Sequence, residues 1–220
     1  MNRLALFDCD GTLVDSGATI HRALDATFRQ HALDCPPRSE SQKVIGLSLE
    51  QAMASLAPGG DHDALAATYK DAFIAMRGAG TVKEPLFEGI AELLDALEDD
   101  GWLLGVATGK SLRGLKHCLA SHGLESRFVT LQTADTNPSK PHPGMAETAM
   151  AEAGASPATT FFLGDRAWDM GCARAAGCIA VGAAWGYHSV AELIADGADH
   201  VAEQPGAVAA IARQLKGARA

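Results

Sequence analysis

Two hydrophobic patterns follow one another along the chain, and each predicts a different kind of structure. Between Ala18 and Gly78, apolar residues recur at three- and four-residue steps, which is typical of amphipathic helices. The segments CPP (35–37) and PGG (58–60) interrupt this pattern, so several separate helices are expected. No strand-like apolar run lies between them in the sequence. The segment is therefore predicted to be a small helical bundle.

After Gly80, short apolar runs alternate with amphipathic stretches. Strands of four to six apolar residues that alternate with helices indicate a parallel sheet covered by helices on both faces. The run LALF (4–7) near the start of the chain has the same character and is predicted to be the first strand of that sheet. The predicted strands are 3–8, 102–107, 128–131, 160–163 and 178–181, and the predicted helices are 88–100, 111–122, 143–154, 167–176 and 189–196.

The order of the two patterns predicts the domain organisation. An α/β core is interrupted after its first strand by an all-helical insert. We expect residues 1–15 and 82–220 to form the core and residues 16–81 to form the insert. A chain of 220 residues is long enough to bury a substantial hydrophobic core in this arrangement.

Composition and net charge argue against several classes of function. The net charge of −9 argues against a nucleic-acid partner, because no stripe of Lys and Arg is present to displace counterions. No apolar run approaches the roughly 20 residues that span a bilayer, and the first residues lack the pattern of a signal peptide. The five cysteines are scattered without C-x-x-C spacing, which indicates neither zinc nor a redox dithiol. A cytoplasmic location away from membranes is expected.

Polar residues follow the predicted strands at the edge where a parallel sheet binds its ligands. Taken singly, each has a structural alternative, since Asp beside Gly is frequent in turns and Asp in the first turn stabilises a helix. Together they form a candidate site. Its members are Asp8 and Asp10 after the first strand, Thr108, Gly109 and Lys110 after the second, Lys140 after the third, and Asp165 and Asp169 after the fourth.

This combination of residue types suits phosphoryl transfer. A carboxylate such as Asp8 can attack phosphorus and form an acyl-phosphate. Oxygen ligands from Asp8, Asp165 and a backbone carbonyl suit Mg²⁺, which also takes up substrate oxygens and water. Asp10 stands where a general acid can protonate the leaving oxygen and then deprotonate a water. The candidate partners of the phosphate oxygens are Thr108, Gly109 and Lys140.

Four segments in this order, DCDGTLVDS, ATGK, SKPHP and GDRAWD, resemble the motifs of the haloacid dehalogenase superfamily. Within it, the chain is most similar to phosphoglycolate phosphatase-like hydrolases that carry a helical cap after the first motif. The resemblance covers nearly the whole chain. It implies a Rossmann-like core, an Mg²⁺ cofactor and hydrolysis of a small phosphorylated metabolite such as phosphoglycolate, and it leaves the oligomeric state open.

Carried over residue by residue, the resemblance makes Asp8 the nucleophile and Asp10 the general acid and base. The backbone carbonyl of Asp10 and the carboxylate of Asp165 then bind Mg²⁺. Asp169 reaches the metal through water or, alternatively, orients Lys140. The residues assigned to the phosphoryl group are Thr108, Gly109 and Lys140.

Some positions depart from the common pattern or stay unassigned. Gly109 stands where many relatives have Asn, so a backbone donor remains and a side chain is lost. Arg166 stands where Ser is commoner, which adds a cation near the site. His142 and His188 lie in predicted loops near the same edge and are candidates for substrate contact.

Other functions fit parts of the pattern. Sugar phosphomutases of the β-phosphoglucomutase type usually carry polar or basic residues on the cap loop, whereas residues 44–49 are apolar apart from Ser48. Phospho-acceptor switch domains also gather Asp, Thr and Lys around Mg²⁺, but they place the accepting Asp on a middle strand and have no helical insert. A 2-haloacid dehalogenase is disfavoured because those relatives lack an acid at the position of Asp10.

Overall fold

The computed structural model describes the backbone of residues 2–217 and the side chains of residues 2–215. Six parallel strands form one sheet in the order β3-β2-β1-β4-β5-β6. The strands are β1 (Asn2–Phe7), β2 (Leu103–Thr108), β3 (Phe128–Thr133), β4 (Ala155–Gly164), β5 (Ile179–Ala183) and β6 (His200–Ala202). The prediction of an α/β fold with a parallel sheet is confirmed.

Helices follow the strands along the chain. The first four lie in the insert: α1 (Gly17–Gln30), α2 (Arg38–Lys43), α3 (Leu49–Leu56) and α4 (His62–Gly78). The others belong to the α/β part: α5 (Ile90–Asp99), α6 (Leu112–Ser121), α7 (Gly144–Ala153), α8 (Ala167–Ala175), α9 (Val190–Ala195) and α10 (Pro205–Gly217). A short 3₁₀ turn, Glu125–Arg127, precedes β3. In the described part of the chain, none of these helices is both long and apolar enough to cross a membrane.

The sheet is buried on both faces. Successive side chains of a strand point to opposite faces, and along β1 Ala5 and Phe7 join one hydrophobic cluster while Leu4 and Leu6 join the other. Helices α5, α6 and α10 contribute to the first cluster, and α7 and α8 contribute to the second. These four residues of β1 are fully buried, which explains why this part of the strand is an uninterrupted apolar run in the sequence.

The insert has a hydrophobic cluster of its own. Leu24 and Phe28 of α1 pack with Met53 of α3 and with Leu65 and Ala66 of α4. The sequence pattern missed α2, whose segment RSESQK has no apolar periodicity and buries only Ser41 among its residues. It also missed β6 and α10. The boundaries of the two domains, 1–15 with 82–220 and 16–81, remain a prediction.

The central position of β1 determines where the polar residues meet. Phe7 pairs with Val106 of β2 on one side and with Leu163 of β4 on the other. Because all three strands run parallel, their carboxyl ends lie at the same edge of the sheet. The residue that follows β1, Asp8, is therefore flanked by the ends of β2 and β4.

Candidate active site

Four charged residues meet at the carboxyl edge of the sheet and form what we call the nucleophile cluster: Asp8, Lys140, Asp165 and Asp169. Asp8 directly follows β1, Asp165 directly follows β4, and Asp169 lies in the first turn of α8. Lys140 comes from the loop between β3 and α7. All four side chains are completely buried, which is unusual for charged groups unless they are paired or bind a ligand.

Lys140 joins two of these carboxylates. Its ammonium lies 2.9 Å from Oδ1 of Asp8 and 2.6 Å from Oδ1 of Asp169. It also donates to the backbone carbonyl of Ala107 at 3.2 Å. Asp169 thus contacts Lys140, and both predicted roles, orienting Lys140 and reaching the metal through water, stay predictions. The other oxygen of Asp169, Oδ2, accepts a hydrogen bond from the backbone N–H of Arg166 at 3.0 Å.

The Asp165 carboxylate accepts two hydrogen bonds and lies against the turn after β1. The backbone N–H of Tyr187 donates to Oδ2 at 2.9 Å, and the Thr12 hydroxyl lies 3.3 Å from Oδ1. Gly11 adopts a left-handed backbone with φ of 89°, and a Cβ at this position would lie 2.6 Å from the Asp165 carboxylate. The tight turn after β1 therefore requires glycine twice over, for its conformation and for the space beside Asp165.

Burial and crowding oppose ionisation of the carboxylates. Burial raises the pKa of Asp8 to about 8; Lys140 opposes this shift, and the charges of Asp169, Asp165 and Asp10 add to it. Burial raises the pKa of Asp165 to about 7, again with a contribution from Asp169. Lys140 pairs with two of the three buried carboxylates, and Arg166 opposes the pKa shift of the third, Asp165. A cation that faced them would cancel this repulsion.

The arrangement fits a divalent metal ion. Oxygen atoms of Asp8, Asp165 and Asp169 all lie within 4.8 Å of one another. Although Lys140 is near, its approach to Asp8 is not aligned for a hydrogen bond, and neither Asp8 oxygen has a hydrogen-bond partner among the described residues. Buried carboxylate oxygens without partners are the ligands that Mg²⁺ takes in proteins. The Asp10 side chain is not part of this group of three.

The predicted phosphate-binding residues lie beside the cluster at the end of β2. Thr108 is fully buried, and its hydroxyl oxygen accepts a hydrogen bond from the backbone N–H of Lys110 at 3.2 Å. Gly109 lies directly under the insert, since a Cβ here would meet the backbone carbonyl oxygens of Gly46 and Leu47. At Gly46, a Cβ would lie 3.7 Å from Oδ2 of Asp8. The loop between α2 and α3 thus covers the nucleophile cluster.

A second group of charges, which we call the acid–base cluster, surrounds Asp10. The Lys110 ammonium donates to Oδ1 of Asp10 at 2.6 Å and to Oε1 of Glu84 at 2.8 Å. Burial alone would lower the pKa of Lys110, but Asp10 and Glu84 raise it well above its ordinary value. The sequence pattern predicts no role for Lys110 or Glu84. No local signal marks the pair, because Glu84 precedes Lys110 by 26 residues.

Of the remaining candidates, Arg166 is the one with an ion pair to a member of the nucleophile cluster in the described part of the chain. Arg166 is almost fully buried; its guanidinium donates to the backbone carbonyl of Gln42 in the insert, and its Nε lies 3.7 Å from Asp165. His142 accepts a hydrogen bond from the N–H of Gly144 through Nδ1. His188 is half-buried, and burial lowers its pKa. Arg166 therefore connects the insert to the core.

Comparison with known proteins places this geometry in a family. The sequence profile described as haloacid dehalogenase-like hydrolase matches residues 5–183. The chain belongs to this family. A probable phosphatase, IndB, from Dickeya dadantii is 35% identical over 198 residues, which cover 88% of this chain and 86% of the relative. A phosphoglycolate phosphatase from Xylella fastidiosa is 32% identical over 190 residues, which cover 85% and 82%.

Solved structures of the haloacid dehalogenase-like family have the same fold. A hydrolase of this family from Streptococcus pneumoniae superposes with a TM-score of 0.84 at 25% identity, covering 96% of this chain and 98% of the other. A predicted phosphoglycolate phosphatase from Haemophilus somnus gives 0.82 at 24%, covering 96% and 97%. The prediction that this chain is a haloacid dehalogenase-like hydrolase with phosphatase activity is confirmed.

Proposed function

We propose that this phosphatase is Mg²⁺-dependent and hydrolyses a small phosphomonoester through an aspartyl-phosphate on Asp8. One observation carries the proposal: both oxygens of the buried Asp8 lack hydrogen-bond partners among the described residues, and the carboxylates of Asp165 and Asp169 face them. Asp8, Asp165 and Asp169, with the backbone carbonyl of Asp10, are the residues that would hold the metal. When bound, Mg²⁺ supplies positive charge that offsets repulsion between the carboxylates and the substrate phosphate.

The first step is attack of the Asp8 carboxylate on the substrate phosphorus. The ammonium of Lys140, held between Asp8 and Asp169, stabilises the charge on the phosphoryl oxygens and fixes the direction of attack. The Thr108 hydroxyl and the Gly109 N–H lie at the end of β2 and donate to the same oxygens. Asp169 positions Lys140 and need not contact substrate itself.

Asp10 supplies the proton chemistry. It follows Asp8 by two residues, in the bend after β1, and its carboxylate accepts a hydrogen bond from Lys110 beside the end of β2. As a general acid it protonates the leaving alkoxide, and as a general base it then removes a proton from the water that hydrolyses the aspartyl-phosphate. Such assistance is worth about 10²–10⁴-fold in rate.

The substrate is a small phosphorylated metabolite, and phosphoglycolate is our leading candidate. The loop of the insert lies directly over Gly109 and close to Asp8, and such a covered site favours a small substrate. We take residues 16–81 as the cap domain that closes the site. The relatives named phosphoglycolate phosphatase support this substrate. We further propose a cytoplasmic location, supported by five free cysteines, since disulfides are typical of oxidising compartments.

A screen of phosphate release tests the proposal. The purified chain is incubated with a panel of small phosphomonoesters that includes 2-phosphoglycolate and hexose phosphates, with Mg²⁺ supplied or removed by EDTA. We expect steady release of inorganic phosphate that needs Mg²⁺. Isomerisation of a hexose phosphate without net phosphate release would identify a phosphomutase. One stable phosphorylation of Asp8 without turnover would identify a switch domain.

A further inference from the structure

The acid–base cluster consists of three charged side chains, of which only Asp10 has a role in the proposed mechanism. The side chains of Lys110, Asp10 and Glu84 are 10%, 8% and 5% exposed. Each carboxylate has a direct ion pair with Lys110, at 2.6 Å for Asp10 and 2.8 Å for Glu84. Buried charges are stable only when they are paired, so removal of Lys110 would leave two carboxylates without compensation.

Lys110, which contacts Asp10, and Glu84, which contacts Lys110, are both anchored through their backbones. The N–H of Lys110 donates to the Thr108 hydroxyl oxygen at 3.2 Å, at the end of β2. The carbonyl of Glu84 accepts a hydrogen bond from Nε2 of His122, in the turn after α6, at 2.8 Å. Neither side chain is a mobile surface charge. Together they present the ammonium to Asp10 from a fixed direction.

The contact with Lys110 uses one oxygen of Asp10. Oδ1 accepts the hydrogen bond, and within residues 2–215 no donor contacts Oδ2. The ring of Phe73, in helix α4 of the insert, lies 6.0 Å from the Lys110 ammonium and covers the cluster from the other side. Asp10 is thus held by one oxygen between core and insert, where the leaving group of a substrate on Asp8 would depart.

We infer that Lys110 and Glu84 are positioning residues for the acid–base group Asp10. Lys110 fixes Oδ1 so that Oδ2 faces the leaving oxygen and the attacking water. Glu84 holds Lys110 and takes up part of its charge, so Asp10 is oriented without being locked into an exclusive ion pair. This inference rests on the proposed function of Asp10 and assigns no contact between Lys110 and the substrate.

Substrates with different leaving groups can distinguish whether Lys110 and Glu84 position Asp10 or have a merely structural role. Departure of an alkoxide requires a proton from Asp10, whereas departure of a phenolate such as 4-nitrophenolate does not. We expect Lys110→Met to lower kcat for an alkyl phosphate by about 10–100-fold, within the range of general acid–base assistance. KM should change little. With 4-nitrophenyl phosphate, phenolate should appear in a burst, because the second step still needs Asp10.

Three further variants complete the experiment. Lys116→Met, which replaces an exposed lysine of α6, controls for the substitution itself. Lys110→Arg keeps a cation between the two carboxylates and should restore most of the alkyl phosphatase activity. Glu84→Gln leaves Lys110 paired with Asp10 alone and should lower alkyl phosphate turnover several-fold, again with a burst on the aryl substrate. If Lys110→Met does not fold, Glu84→Gln provides the same test.

Asp10→Asn separates failure of this inference from failure of the proposed function. In one outcome, Asp10→Asn shows the alkyl-specific loss of activity and the burst, while Lys110→Met and Glu84→Gln keep the activities of the control Lys116→Met. The inference about Lys110 and Glu84 is then wrong, and the proposed function stands. Equal losses on both substrates without a burst in the Lys110 and Glu84 variants also overturn it. If Asp10→Asn itself does not distinguish the substrates, the acid–base role of Asp10 is wrong, and the inference falls with it.

Discussion

Two buried lysines each connect a carboxylate at the end of β1 to a second carboxylate, yet the two clusters differ in how complete they are. Lys110 makes aligned hydrogen bonds to both Asp10 and Glu84. Lys140 makes one to Asp169, but its approach to Asp8 leaves both Asp8 oxygens without a hydrogen-bond partner in the described part of the chain.

The ion pairs of the two clusters differ in the same sense. Both carboxylates of the acid–base cluster lie within 2.8 Å of the Lys110 ammonium. In the nucleophile cluster Lys140 pairs with Asp8 and Asp169, while Asp165 has the Arg166 guanidinium at the longer distance of 3.7 Å. Burial and mutual repulsion of the three carboxylates raise the pKa values of Asp8 and Asp165, so these groups are less well compensated within the protein. Crowded buried carboxylates of this kind are compatible with a bound cation, and the missing hydrogen bonds of Asp8 support our proposal that it is the nucleophile.

The largest expected effect is loss of turnover in Asp8→Asn, because an amide cannot form the acyl-phosphate. The fold should remain, and the metal-free variant should melt several degrees higher than the wild type at pH 8, since one buried charge is removed. Phosphate release and thermal unfolding measure the two effects, with Asp71→Asn, at an exposed position of α4, as the control. Activity within tenfold of the wild type would exclude Asp8 as the nucleophile.

Asp165→Ala should lower activity by several orders of magnitude and weaken Mg²⁺ binding. The substitution removes a carboxylate that is fixed by Tyr187 and Thr12 and whose nearest side-chain cation, the Arg166 guanidinium, lies 3.7 Å away. Calorimetric titration with Mg²⁺ measures the affinity independently of turnover. Wild-type affinity for Mg²⁺ in this variant, or wild-type activity that resists EDTA, would contradict the assignment of the metal site.

Much of the fold and of the nucleophile cluster could be predicted from sequence, for a simple physical reason. A central parallel strand is buried on both faces, so β1 reads as a continuous apolar run, and the charges that follow it stand out. Parallel strands bring their carboxyl ends together, so the sequence alone suffices to place Asp8 and Asp165 at one edge of the sheet. The predictions for β2 and β5 each began one residue early, and those for β3 and β4 were too short, since β3 ends at Thr133 and β4 begins at Ala155.

The acid–base cluster could not be predicted in the same way. Which carboxylates pair with Lys110 depends on how the segment before α5 packs against the end of β2, and neither spacing nor periodicity records that contact. Glu84 reads as an ordinary polar residue before Pro85. Helix α2 was missed for a related reason, since a short polar helix has no apolar face to give it a period.

Gly109→Ala should have a moderate effect confined to the nucleophile side. Its methyl group would meet the carbonyl oxygens of Gly46 and Leu47, so the loop of the insert must move away from Asp8. Overpacking of this kind costs about 1–3 kcal/mol, and we expect kcat/KM to fall by about 10–100-fold. Gly206→Ala, where a Cβ meets nothing within 4 Å, is the matched control. Unchanged kcat/KM would show that the loop need not lie on Gly109 during turnover.

The smallest effect is on stability, and it depends on pH. Burial raises the pKa of Asp8 to about 8 and that of Asp165 to about 7, from about 3.8 in an unfolded chain. The folded protein therefore binds more protons than the unfolded chain, so metal-free stability should fall as pH rises from about 4 to 8. Mg²⁺ needs deprotonated ligands and offsets this loss, so the Mg²⁺-induced rise in Tm should be larger at pH 8 than at pH 5.

Thermal unfolding at both pH values, with and without Mg²⁺, measures this difference. Asp165→Asn should flatten the pH dependence of the metal-free protein, because one of the two titrating carboxylates is gone. Glu84→Gln should leave it nearly unchanged, because both carboxylates of the acid–base cluster are paired directly with Lys110 without a metal. An equal Mg²⁺ effect at pH 5 and pH 8, or an equal response in the two variants, would mean that the clusters do not differ in their need for a cation.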